Sequence, residues 1–167
     1  MSFNLPVLGP ERVDYDGEFD FEELYHHIFE WLKWRKYDVK EKKYKDKVKA
    51  LGRELEVKWA ASRDVDEYTQ LQIEVEVKIE DFTDVEKTKN GERVKMNKGN
   101  MKISVSGNLV LDKDDKWEYK PMLKFIRRFY DTYVYKGSRE KFENRVWSEG
   151  WDLINEIKAL LHLYEYK

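Results

Sequence analysis

No cysteine occurs among the 167 residues of this chain. Disulfides, thiolate metal sites and thiol nucleophiles are therefore excluded, and nothing marks the chain for an oxidising compartment. Proline is almost absent: two of the three residues, Pro6 and Pro10, fall with Gly9 in the first ten positions. They mark residues 1–10 as an irregular N-terminal arm, with a single domain expected over 11–167. No apolar run approaches the roughly 18 residues that span a bilayer. The start, MSFNLPVLGPER, lacks the basic and apolar blocks of a signal peptide, so a cytoplasmic protein is expected. Net charge is −2, too small for a global pull toward nucleic acid or an anionic membrane. The sequence holds no Gly-rich phosphate loop, no GxSxG and no HExxH.

What the chain has is charge and rings. Charged residues make up 40% and aromatic residues 15%, with six Trp and eleven Tyr. The Lys- and Glu-rich, Gln-poor composition fits a thermophile. So many rings predict a core or a groove built from them.

The organising stretch is 69–82, TQLQIEVEVKIEDF. Leu71, Ile73, Val75, Val77 and Ile79 alternate with Gln70, Gln72, Glu74, Glu76 and Lys78, the period of a strand with one dry and one wet face. A strand buried on both sides would be continuously apolar, so the sheet is expected to be antiparallel and covered on one side only. RELEVKWAA (53–61) and MKISVSGNLVLD (101–112) repeat the alternation. Asn90-Gly91 predicts a tight hairpin, Lys98-Gly99-Asn100 a further turn, and Gly107 a bulge, a bend or a close approach. A short first strand is expected around Val13 and Tyr15, ending near Gly17. A charged edge strand is expected within 37–51.

Asp20 with Glu23 three residues on predicts a helix start, and Leu24, Ile28, Trp31 and Leu32 share one helical face. The last third reads as two helices, one from Pro121 and one capped by Ser138, with Gly150 allowing close packing or a kink. The fold class is α+β: a two-layer domain whose single-sided antiparallel meander of about five to six strands is covered by an N-terminal helix and two C-terminal helices. This element order resembles, in outline, the helix-grip fold of START and plant-allergen type lipid-binding domains. It departs from them in ending on two helices and in having one helix after the first strand. The resemblance implies a space between sheet and helices that takes an apolar or aromatic small molecule.

Three sets of residues carry the functional expectations. The first is a ring surplus for a pocket or partner face: Trp59, Trp117, Tyr119, Phe129, Tyr130, Tyr133, Trp147 and Trp151. The second is the basic stretch 33–53, ten cations against three carboxylates. There Lys40, Lys42, Lys43, Lys45 and Lys47 are candidates for an anion or nucleic acid, although an edge strand guarded by lysines explains them more simply. The preceding residues 11–30 carry eight carboxylates and one Arg, so the two segments could neutralise each other or steer head-to-tail association. The third is the histidines, His26, His27 and His162. The adjacent pair diverges by about 100° on a helix, and no metal or cofactor is expected. Glu74 and Glu76 fall on the wet face of the sheet, and Ser104 and Ser106 lack a histidine partner. The expected product is a non-catalytic interaction protein, self-associating in one version.

Overall fold

The computed structural model describes residues 3–50, 52–111 and 136–165. Five strands, β1 (Phe3–Phe19), β2 (Asp38–Lys49), β3 (Gly52–Asp64), β4 (Thr69–Lys89) and β5 (Glu92–Leu111), form one antiparallel sheet in the order β1-β5-β4-β3-β2. Strands β2 to β5 are a meander. β1 docks beside β5, so helix α1 (Phe21–Trp34) carries the chain from one edge of the sheet to the other. A 30-residue helix, α2 (Lys136–Glu165), closes the described chain.

The alternation of β4 sets the layering. Leu71, Ile73, Val75, Val77 and Ile79 are buried, and Val75 lies between Trp59 of β3 and Val105 of β5. α1 buries Leu24, Ile28 and Leu32. Its start is closed twice: the Asp20 carboxylate accepts the Glu23 N–H at 3.1 Å, and Asn97 of β5 accepts the Phe21 N–H at 3.0 Å. α2 contributes Val146, Leu153, Ile154, Ile157 and Leu161 to the same core.

Two glycines set how close α2 comes. A Cβ on Gly107 would stand 2.6 Å from Val146 Cγ1, and one on Gly150 would stand 2.6 Å from Leu8 Cδ2. Both mark close approach of helix and sheet, and α2 runs unbroken through Gly150.

Several expectations need correction. The described residues contain two helices, not three. α2 begins at Lys136, ahead of the Ser138 cap, and the helix expected from Pro121 falls outside the described residues. β1 begins at Phe3 and absorbs most of the presumed arm. Register shifts at Pro6/Leu8 and Leu8/Glu11 absorb the irregularity that Pro6, Gly9 and Pro10 announce. β1 also runs through Gly17 to Phe19. Lys98-Gly99-Asn100 is not a turn but lies inside β5. Gly99 faces a bulge on β4 between Glu80 and Thr83, where its missing side chain clears the Glu80 carbonyl. The Asn90-Gly91 hairpin is present, with both φ values positive, 52° and 82°.

Candidate functional site

The chain leaving α1 makes a tightly connected polar feature. Lys36 adopts φ 69°, its N–H bonds to the Lys33 carbonyl at 2.9 Å, and the Tyr37 N–H reaches the Leu32 carbonyl at 3.1 Å. This pair of bonds is a Schellman ending, which usually employs glycine. A lysine there costs about 1 kcal/mol or more. The turn drives Tyr37 beneath the helix end, where it is buried, and its hydroxyl donates to Glu149 of α2.

Glu149 is itself buried. Arg63 of β3 donates from Nη2 to both its oxygens, at 3.1 and 3.2 Å, and from Nη1 to the Arg35 carbonyl at 2.5 Å. The same guanidinium lies over the Tyr37 ring, 4.7 Å from its centroid. One arginine thus closes the C-terminal end of α1, neutralises a buried carboxylate and stacks on the ring between them. Burial, then the hydrogen bond to Glu149 and its charge, push the Tyr37 hydroxyl far above the ordinary tyrosine value.

Further contacts extend this node along the two helices. Arg35 meets Asp152 at 3.5 Å, His27 Nε2 meets Glu156 at 3.2 Å, and the Tyr164 hydroxyl donates to the Asp20 carbonyl at 3.3 Å. Positions rise on one helix as they fall on the other, so α1 and α2 lie antiparallel over the sheet.

The expected ring set is divided. Trp59 is in the core, 1% exposed, with Tyr25 across it at 4.9 Å between centroids, so it lines no open groove. Trp147 is 53% exposed and packs edge-on to the half-buried Trp151 at 6.1 Å. Trp117, Tyr119, Phe129, Tyr130 and Tyr133 lie outside the described residues.

Of the lysines, Lys43 is held by Glu56 at 2.6 Å, and Lys49 pairs with Glu54. The neighbouring strand, not the acidic segment 11–30, supplies these partners. Lys40, Lys42, Lys45 and Lys47 line the exposed β2 edge. A depression of about 310 Å³ on the open face is lined by Lys40, Lys42, Ser62, Gln70, Gln72 and Glu74. His27 faces Glu156 of α2. Among the described residues no three His, Asp or Glu side chains gather as a metal site requires, and no described helix is long and apolar enough to cross a membrane.

Sequence reasoning missed Glu149 and Arg63. The signal was there for Glu149: it is a carboxylate three residues after Val146 and four before Leu153, on the apolar stripe of a helix. Arg63 sat in a polar run that reads as loop. No family model, no curated protein and no solved structure matches this chain.

Proposed function

We propose that this domain is a non-catalytic protein-interaction module whose contact surface includes the ring-bearing flank of α2. The observation that carries this is Trp147, half exposed on a long helix that the Glu149 node and the two glycine contacts fix against the sheet. A tryptophan presented on a rigid element is a favoured kind of binding anchor, because little entropy remains to be lost on docking. The Tyr37 hydroxyl, the Arg63 guanidinium and the Glu149 carboxylate are engaged with each other. Binding at the surface, not proton transfer in the interior, is the use this geometry favours.

The test is a concentration series by light scattering on the wild type and on Trp147→Ser. The substitution is expected to change stability by less than about 0.5 kcal/mol and to weaken association. A particle of monomer mass at every concentration removes the self-associating form of the reading.

A second reading is a helix-grip-like binder of an apolar or aromatic small molecule between sheet and helices. It is favoured by the Trp151 indole nitrogen, which is buried without a hydrogen-bond partner among the described residues and which a ligand acceptor would satisfy. A thermal-shift screen with aromatic ligands decides it, since a filled interior gives no shift.

A further inference from the structure

The two outermost strands of the described sheet are electrically opposite. β1 carries Glu11, Asp14, Asp16 and Glu18 against Arg12; β2 carries six lysines against Asp38, Glu41 and Asp46. The strand order places them on opposite edges, and successive antiparallel pairings make β1 and β2 point the same way.

The register aligns them row by row. Lys45 pairs across to Glu56, Lys78, Lys102 and finally Asp14. Lys47 pairs with Glu54 on the next wet-face row, and Asp16 occupies the corresponding wet-face position on β1. Asp14, Asp16, Lys45 and Lys47 are all exposed, and none closes an ion pair among the described residues.

On the inner face, the row of Val57, Val77 and Ile103 begins with Tyr44 on β2 and ends with Val13 on β1. Tyr44 is 53% exposed. At Val13 the edge opens into a groove of about 280 Å³ between β1 and α2, lined by Arg12, Tyr15, Lys158, Leu161 and His162 among others.

We propose that copies of this chain associate head to tail, the β2 edge of one against the β1 edge of the next, with Tyr44 seated in the groove between β1 and α2. A copy shifted by five strand spacings, about 24 Å, continues the sheet in parallel. It sets Lys45 beside Asp14 and Lys47 beside Asp16 on the wet face, while the ring enters the groove on the other. The symmetric alternatives are disfavoured: β2 against β2 opposes lysines, and β1 against β1 opposes carboxylates. A heterologous contact of this kind yields a ring or an open chain of subunits. It depends on edge charge and Tyr44, and is independent of Trp147.

Sedimentation velocity tests it on the full chain, with Lys45→Glu/Lys47→Glu, Asp14→Lys/Asp16→Lys and Tyr44→Ala alongside wild type. All these sites are exposed, and far-UV circular dichroism verifies that each variant folds. At low ionic strength the wild-type mean mass is expected to rise at least about two-fold with concentration, and to fall back in about 1 M salt, where screening reaches about 3 Å. Each variant alone is expected to remain monomeric. Mixing the two charge variants, one acidic at both edges and one basic at both, restores association. A wild type that stays monomeric at every concentration and salt overturns the proposal. So does association that persists in both charge variants, which would leave the interaction reading standing with a different surface.

Discussion

On β3, Leu55, Val57, Trp59 and Ala61 point to one side of the sheet, and Glu54, Glu56, Lys58 and Ala60 to the other. The first side is roofed by α1 and α2. The second is a lattice of opposite charges, in which Lys43 meets Glu56 at 2.6 Å, Lys78 meets Glu54 at 3.6 Å and Lys58 meets Glu74 at 3.8 Å. The same backbone therefore carries two energetic regimes. On the roofed side a polar group that loses its partner is costly, because water cannot substitute for a missing one, and the Trp151 indole nitrogen is an exception. On the open side each charge already has water, and its protein partner adds little.

The sharpest way to break this comparison is Glu149→Ala. It leaves Arg63 and the Tyr37 hydroxyl without their acceptor in the interior, and a loss of about 3 kcal/mol is expected in urea unfolding. A change below about 1 kcal/mol would show that water reaches the node and that the two sides are not so different.

Tyr37→Phe is a smaller cut, about 1 kcal/mol, because Arg63 continues to pair with Glu149. It also carries a pH signature. The folded-state value of Tyr37 lies above its unfolded value of 10.0, so the folded protein holds this proton more tightly. That contribution is complete below about pH 10 and is lost as pH rises beyond it. The alkaline limb of the stability curve is expected to flatten in Tyr37→Phe. It will not vanish, since Tyr15, Tyr25 and Tyr164 are raised as well, each first by burial. An unchanged limb would mean that the hydroxyl is not sequestered.

The smallest effect is expected from Glu74→Gln. Its partner Lys58 is 3.8 Å away and both side chains are more than a third exposed, so thermal denaturation should register less than about 0.5 kcal/mol. A larger effect would show that the wet-face lattice acts as a network.

Much of the architecture was legible because period 2 on β3, β4 and β5 is a direct consequence of one covered face. The Asp20 cap and the Asn90-Gly91 hairpin were legible for the same reason: each is chemistry among a few consecutive residues. The Gly99 bulge was not, since its cause is the Glu80 carbonyl on another strand. The node was not, because Tyr37, Arg63 and Glu149 are brought together from three elements. Of the ring set, Trp59 was legible only in part: its alternation showed that it points inward, but not that Tyr25 of α1 would cover it.

By itself the sequence determined the alternating stretches of β3, β4 and β5, the face each presents, the first helix and a lysine-guarded edge, since these follow from local spacing and from which side chains avoid water. Only the tertiary structure decided that the acidic β1 and the basic β2 stand at opposite edges, because strand order depends on α1 crossing the sheet and β1 pairing with β5. It also decided that Glu149 is buried beside its partners. A carboxylate carries no local mark of being buried; its surroundings come from residues that the chain delivers from far away.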